Sequence, residues 1–172
     1  MVPRIHIVGR KNSGKTTLIV ALIQELSGRG LRVGTIKHTH HHHEFDAPGK
    51  DSFLHRQAGA AVVGLVGPKM AAAFCEYTDE QRLRGIPQLE PLFADCDLVL
   101  VEGNQQSLGT KVEVWRAVTD QPPLVNNLSG VCALITDDHL PDEIASEMTC
   151  PVWPRGSVEA IADGLLELIS AD

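Results

Sequence analysis

The chain has 172 residues, of which 43% are apolar and 22% are charged, values typical of one ordinary globular domain. Fifteen lysine and arginine residues against 22 aspartate and glutamate residues give a net charge of −7, which argues against a general binder of nucleic acids or anionic membranes. No apolar run approaches the roughly 20 residues that span a bilayer, so we expect no transmembrane helix.

The first half of the chain alternates short β-branched segments with segments of helical periodicity. Leu18, Leu22 and Leu26 fall on one helical face, and glycines at 28 and 30 end that pattern. Gly67-Pro68-Lys69 separates two apolar runs and predicts a β-hairpin. The predicted elements are a strand at 4–8, a helix at 15–26, a strand at 31–36, a loop at 37–50, a helix at 51–58 and hairpin strands at 60–66 and 70–75.

The second half continues the alternation. The run at 98–101 is fully apolar, which is typical of a central parallel strand. Apolar positions within 78–94 predict a helix that is broken near Pro87. The remaining predicted elements are strands at 112–115, 132–136 and 152–153, a loop at 119–130 and an amphipathic C-terminal helix over 158–169.

The first predicted strand runs directly into a glycine-rich segment. Gly9-Arg-Lys-Asn-Ser-Gly14-Lys15-Thr16 matches G-x-x-x-x-G-K-[ST], and an amphipathic helix follows it. In such a loop the backbone N–H groups and the helix N-terminus bind phosphate, the lysine reaches the terminal phosphates, and the hydroxyl ligates Mg²⁺. The predicted nucleotide-binding residues are Gly9, Arg10, Lys11, Asn12, Ser13, Gly14, Lys15, Thr16 and Thr17.

The pattern as a whole predicts an α/β fold of the P-loop NTPase class, with a mostly parallel central sheet, helices on both faces and a β-hairpin extension. We expect one nucleotide-binding domain over residues 1–172 because no linker divides the chain.

Two carboxylates and a lysine are candidate partners of this loop. Glu102 follows a buried strand at the sheet edge where ligands bind, so it could reach a Mg²⁺ on Thr16. Asp51 could be a second ligand, or it could simply begin a helix. Lys37 ends the second strand at the same edge and could add positive charge at the phosphates, or be solvated. The predicted catalytic residues are Lys15 and Lys37.

The base-binding residues are less evident. Asp137 follows a buried strand at the ligand edge and could accept hydrogen bonds from the guanine N1–H and 2-amino groups, which adenine cannot match. It could equally be a turn residue. Pro154 and Arg155 are weaker candidates, for stacking on the base.

A run of histidines extends from His38 to His43, interrupted by Thr39. In an extended chain, alternate histidines share one face and could bind Zn²⁺ or Ni²⁺. The run could also be a polar loop beside the nucleotide, or a binding site for an anionic partner molecule.

The cysteines are scattered and form no C-x-x-C motif, which is typical of reduced thiols in a cytosolic protein. The first residues, MVPRIHIVGR, lack the long apolar region of a secretory signal. We therefore expect a cytoplasmic protein.

Several segments together resemble the molybdopterin-guanine dinucleotide biosynthesis protein B (MobB-like) family of P-loop GTP-binding proteins. The resemblance covers 4–66 densely, returns at 97–103 and thins afterwards. The segments are GRKNSGKTT at 9–17, GTIKHTHH at 34–41, DAPGKDS at 46–52, AGA at 58–60 and LVEG at 100–103.

The resemblance implies a homodimeric adapter that binds GTP and assists the molybdopterin guanylyltransferase, and possible contact with molybdopterin itself. It implies weak Mg²⁺-dependent GTP hydrolysis at most, with Lys37 on phosphate and with Asp51 and Glu102 joining Thr16 around the metal. Asn104 and Gln105 depart from the family, which often has an aromatic and a basic residue there.

Two other functions stay open at this point. One is an ATP-dependent ligase or kinase of the dethiobiotin-synthetase type, although the segment after Glu102 is not glycine-rich. The other is a metallochaperone GTPase that uses the histidine run. The hairpin at 60–76 offers a strand edge on which two copies could pair.

Overall fold

The computed structural model describes residues 2–39, 44–75 and 86–170 and divides into two compact units. The first unit is formed from the described parts of Met1–Thr39 and Glu90–Asp172, and the second from those of His40–Leu89. The expectation of a single domain over 1–172 stays a prediction.

The first unit is built on a six-stranded sheet whose strands are all parallel, in the order β2-β5-β1-β6-β7-β8. The strands are β1 (Arg4–Val8), β2 (Val33–Lys37), β5 (Leu98–Glu102), β6 (Lys111–Val114), β7 (Val131–Ile135) and β8 (Val152–Trp153). This sheet confirms the predicted parallel α/β fold. Because parallel strands end at one edge, the segments after β1, β2, β5 and β7 meet there.

Helices α1 (Lys15–Gly28) and α4 (Val158–Ser170) cover one face of the sheet. Leu22 and Leu26 of α1 and Ile161 and Leu165 of α4 are fully buried among apolar strand residues. Each such side chain contributes about 1.5–3 kcal/mol by leaving water, so this face forms the main core. Among the described residues, no helix has both the length and the apolar character that crossing a bilayer requires.

The opposite face of the sheet carries buried polar side chains. Lys111 Nζ donates to Ser129 O at 2.9 Å, and Glu113 accepts two hydrogen bonds from Leu124 N at 2.7 and 2.9 Å. Burial lowers the pKa of Lys111 and raises the pKa of Glu113. These bonds attach the 119–130 loop to β6. A short helix that the sequence analysis did not predict, α3 (Asp142–Glu147), is bonded to the same loop.

The predicted helix at 78–94 is partly outside the described residues. The part that is described, Ile86–Phe93, is a 3₁₀ helix with Pro91 inside it, because proline removes an N–H donor that an α-helix needs. A further 3₁₀ turn spans Ala117–Thr119, between β6 and β7. At the end of the Ile86–Phe93 helix, the ring of Phe93 packs closely on β2. A Cβ at Gly34 would lie 2.5 Å from this ring.

The second unit contains α2 (Asp51–Gln57) and the antiparallel hairpin of β3 (Val62–Val66) and β4 (Ala71–Cys75). Gly67 N donates to Met70 O at 2.8 Å and closes the turn. The hairpin and the helix confirm the predictions for these segments.

Candidate functional site

The glycine-rich loop leaves the sheet at the end of β1. Gly9 has a φ of 140° and Gly14 a φ of 93°, conformations that glycine adopts without strain, and Asn12 also has a positive φ of 64°. A Cβ at Gly9 would lie 2.2 Å from the carbonyl oxygen of Val114, so any other residue would collide with β6. The first glycine of the motif is therefore required both by conformation and by space.

The loop leads directly into α1, and backbone N–H donors are available where the helix begins. Gly14 is the N-cap and supplies no side-chain cap, and Leu18 N is bonded to Gly14 O at 3.0 Å. The N–H groups of the first turn of α1 have no intrahelical acceptor and lie at the positive end of the helix dipole. The Ser13 hydroxyl is fully buried and has no hydrogen-bond partner within the described ranges. Such a terminus is suited to an anion.

The Lys15 side chain is hydrogen-bonded to the backbone of the loop. Its Nζ donates to Gly9 O at 3.0 Å and to Arg10 O at 2.6 Å. Burial lowers the pKa of Lys15, the Glu102 carboxylate opposes this shift by raising it, and Lys37 lowers it further. The ammonium therefore lies against the backbone of the loop, within the electrostatic influence of a carboxylate and a second cation.

Glu102 lies beside the first turn of α1, and Lys37 lies beside Glu102. The Thr16 hydroxyl donates to Glu102 Oε1 at 2.9 Å, and Lys37 Nζ lies 3.5 Å from the same oxygen. Lys37 and Glu102 are register partners at the ends of β2 and β5. The structure thus brings together three of the predicted residues, two of which carry side-chain oxygen atoms of the type that Mg²⁺ prefers.

Asp51 belongs to the second unit, where it is exposed in the first turn of α2. The segment before it is held by a pair that the sequence analysis missed, since Ser52 Oγ donates to Asp46 Oδ1 at 2.9 Å. The part of Asp51 in a metal site stays a prediction. So do the side-chain roles of Lys11, which is exposed, and Arg10, which is half-buried.

Asp137 lies after β7 and binds the backbone of the segment that follows β8. Its Oδ1 accepts from Arg155 N at 2.8 Å and Gly156 N at 3.4 Å. A pocket of about 250 Å³ lies here, lined by Thr17, Ala21 and Val158 together with Asp137 and Arg155. The volume is below the range for drug-sized ligands and suits a smaller group such as a nucleobase.

The histidine run lies mostly outside the described residues, which include His38 but not 40–43. In the described part of the chain, no group of three or more histidine, cysteine, aspartate or glutamate side chains is arranged to hold a metal. The predicted metal-binding role of the run therefore stays a prediction.

A parallel sheet with a G-x-x-x-x-G-K-[ST] loop between its inner strand and a helix defines a nucleotide-binding fold of the P-loop NTPase type. Residues 4–137 match the family of molybdopterin guanine dinucleotide synthesis protein B. The chain belongs to this family, which confirms the resemblance seen in its sequence segments.

Individual relatives agree with this assignment. The chain is 31% identical over 175 residues to the molybdopterin-guanine dinucleotide biosynthesis adapter protein of Escherichia coli, with 97% of this chain and 93% of that protein covered. It is 37% identical over 121 residues to the adapter protein of Haemophilus influenzae, covering 70% and 67%.

Solved structures give the same result for the fold. A crystal structure of molybdopterin-guanine biosynthesis protein B superimposes with a TM-score of 0.70 at 26% identity, covering 96% of this chain and 99% of that one. Bacillus subtilis MobB gives 0.67 at 25% identity, covering 97% and 98%.

Proposed function

We propose that this chain is an adapter protein in molybdenum cofactor biosynthesis that binds GTP and assists the formation of molybdopterin guanine dinucleotide. Family membership and the names of the adapter relatives support the pathway. The observation that carries the nucleotide site is the contact of Thr16 with Glu102 at 2.9 Å, directly beside the glycine loop and Lys15.

Each part of this site has a task. The N–H groups at the start of α1 and the Lys15 ammonium bind the phosphates, and Lys37 adds positive charge beside them. Thr16 and Glu102 hold Mg²⁺, which neutralises phosphate charge when bound. The donor set fits this ion because both side chains present oxygen atoms within hydrogen-bonding distance of each other. Asp51 is proposed as a further ligand from the family resemblance alone.

GTP hydrolysis is weak at most under this proposal. In the described ranges the carboxylate beside the loop is Glu102, which is assigned to the metal and so cannot also activate the attacking water. The cations proposed to meet the transition-state charge are Lys15, bonded within the loop, and Lys37, 3.5 Å from Glu102.

Asp137 selects guanine in this proposal. Its Oδ1 is occupied by two backbone N–H groups, whereas the carboxylate lines the pocket and offers its second oxygen to the donors on the guanine edge. Adenine presents an acceptor at N1 and would leave this carboxylate oxygen unpaired.

The active form is a homodimer in this proposal, with pairing at the hairpin of the second unit. Val66 is 90% exposed and Met70 is 77% exposed, although both are apolar and lie at the hairpin turn. Exposed strand edges with apolar side chains favour pairing with a second copy. The catalytic partner is a molybdopterin guanylyltransferase of the cytoplasm.

A reconstituted guanylyltransferase reaction tests the proposal. Molybdopterin, GTP, Mg²⁺ and the transferase are combined with this chain or with its Lys15→Ala variant, and molybdopterin guanine dinucleotide is measured over time. We expect the wild-type chain to raise the yield and the variant to lose most of that effect. Equal yields with and without the wild-type chain would contradict the adapter function.

A further inference from the structure

The guanidinium of Arg155 lies against the glycine loop. A Cβ built on Gly14 would be 3.3 Å from Arg155 Nη2 and 3.6 Å from Cζ and Nε, so the group lies close to the Cα of Gly14 along its length. Gly14 caps α1, and Arg155 therefore adds a positive charge at a helix end that already attracts anions.

The arginine is positioned through its backbone and not through its side chain. Asp137 Oδ1 accepts from the N–H groups of Arg155 and Gly156, and these bonds join the end of β7 to the segment after β8. Within the described ranges the guanidinium itself makes no hydrogen bond or ion pair. A half-buried arginine whose guanidinium has no acceptor has its donors available for a ligand.

The location of Arg155 relative to Lys15 indicates which part of a nucleotide it meets. Lys15 Nζ lies at the beginning of the loop, on the carbonyl oxygens of Gly9 and Arg10. Arg155 lies at the other end of the loop and also lines the 250 Å³ pocket with Thr17. A nucleotide with its base in this pocket and its terminal phosphates at Lys15 has its α-phosphate between the two, next to Arg155.

We propose that Arg155 is a nucleotide-binding residue that contacts the α-phosphate, at the junction of the phosphate loop and the base pocket. This inference rests on the proposed GTP binding and assigns a contact that it did not include. A guanidinium can donate two parallel hydrogen bonds to phosphate oxygens, which fixes the orientation of the nucleoside as well as adding affinity.

Competition against a fluorescent GDP tests this contact in excess Mg²⁺. GMP, GDP and GTP are titrated against the wild type, Arg155→Ala, Arg155→Lys and Lys15→Ala. Arg155→Ala should weaken all three ligands by a similar factor of roughly tenfold, because all three contain the α-phosphate. Arg155→Lys should recover part of that loss. Lys15→Ala should weaken GTP and GDP much more than GMP.

Arg32→Ala is the matched control. Arg32 lies before β2, at the opposite edge of the sheet, where its guanidinium is 3.8 Å from Asp95. Removing it changes the net charge by the same amount as removing Arg155, so unchanged binding excludes a general electrostatic effect. A thermal melt of each variant establishes that it is folded.

Failure of the Arg155 contact and failure of the proposed GTP binding give different results. If Arg155→Ala binds GMP, GDP and GTP like the wild type while Lys15→Ala loses GTP, Arg155 has no nucleotide contact and the inference is wrong. A loss confined to GTP would place Arg155 at the terminal phosphate and also overturn the α-phosphate assignment. If the wild type binds none of the three, the proposed function itself fails and the inference fails with it.

Discussion

The two ends of the candidate site are constructed differently. At the phosphate end, one continuous segment from Gly9 to Thr16 provides backbone donors, the lysine and the hydroxyl, while Glu102 and Lys37 come from elsewhere in the chain. At the nucleoside end, Asp137 follows β7 and Arg155 follows β8, and the Asp137 carboxylate accepts from Arg155 N. The phosphate end depends on backbone shape, whereas the nucleoside end depends on single side chains.

This difference predicts a gradient of effects. A change that distorts the loop backbone removes many donors at once, so it should affect every nucleotide strongly. A change of one side chain at the nucleoside end removes one contact of about 0.5–1.5 kcal/mol, so its effect on nucleotide binding should be smaller.

Gly9→Ala should give the largest effect. The new Cβ would adopt a φ of 140° and lie 2.2 Å from Val114 O, so the loop or β6 must move. We expect the free energy of unfolding to fall by about 3 kcal/mol or more, with loss of measurable GTP binding. Urea denaturation and calorimetry measure the two quantities.

Gly30→Ala is the control for this variant. Gly30 also has a positive φ, of 89°, but its Cβ would meet no atom within 4 Å in the described part of the chain. We expect Gly30→Ala to lower the free energy of unfolding by about 1 kcal/mol and to leave GTP affinity unchanged. Equal destabilisation by the two variants would show that the contact with Val114 is unimportant.

Lys15→Ala should come next, with GTP affinity lowered by more than about tenfold, because the ammonium against the backbone of the loop is lost. Lys11→Ala removes an exposed charge from the same loop and keeps its backbone donors. The Lys11→Ala variant should lower GTP affinity by less than about threefold. Calorimetry measures the GTP affinity of both variants. Similar losses of affinity in the two variants would contradict a specific role for Lys15.

Glu102→Gln should chiefly reduce the dependence of GTP binding on Mg²⁺. The substitution keeps the size of the side chain but removes the charge next to Thr16, so the gain in affinity on adding Mg²⁺ should shrink by roughly tenfold. Asp95→Asn makes the same charge change at an exposed position near Arg32 and should leave that gain intact. An undiminished gain in Glu102→Gln would make Glu102 a structural residue.

Asp137→Asn should have the smallest effect. The amide oxygen can still accept from Arg155 N and Gly156 N, while an NH₂ donor replaces the second oxygen at the pocket. We expect the ratio of GTP to ATP affinity to fall by roughly fivefold. Asp138→Asn, whose parent carboxylate accepts from Ala117 N at 2.7 Å, is the control. A ratio that does not change would locate guanine recognition elsewhere.

The same contrast explains what could be predicted from the sequence. The phosphate loop, the hairpin and β1 are contiguous patterns, and each was predicted within a few residues. Glu102 was predicted because the end of a parallel strand is a known ligand edge. The closeness of Arg155 to Gly14 depends on two strand ends far apart in sequence, and no local pattern encodes it.

Other features were missed for related reasons. The helix Asp142–Glu147 is too short for helical periodicity to be recognised, and proline converts the segment at Ile86–Phe93 into a 3₁₀ helix. Lys111 and Glu113 are charged, yet they are buried on β6 because backbone groups of the 119–130 loop bind them. Such burial depends on tertiary contacts.

The most direct test of the central claim is a calorimetric titration of the chain with GTP, ATP, GDP and ADP, each with and without Mg²⁺. GTP binding at the loop predicts saturable binding of about one nucleotide per chain, tighter for guanine than for adenine nucleotides, strengthened by Mg²⁺ and lost in Lys15→Ala. Binding that is absent, or that persists unchanged in Lys15→Ala, would contradict the account.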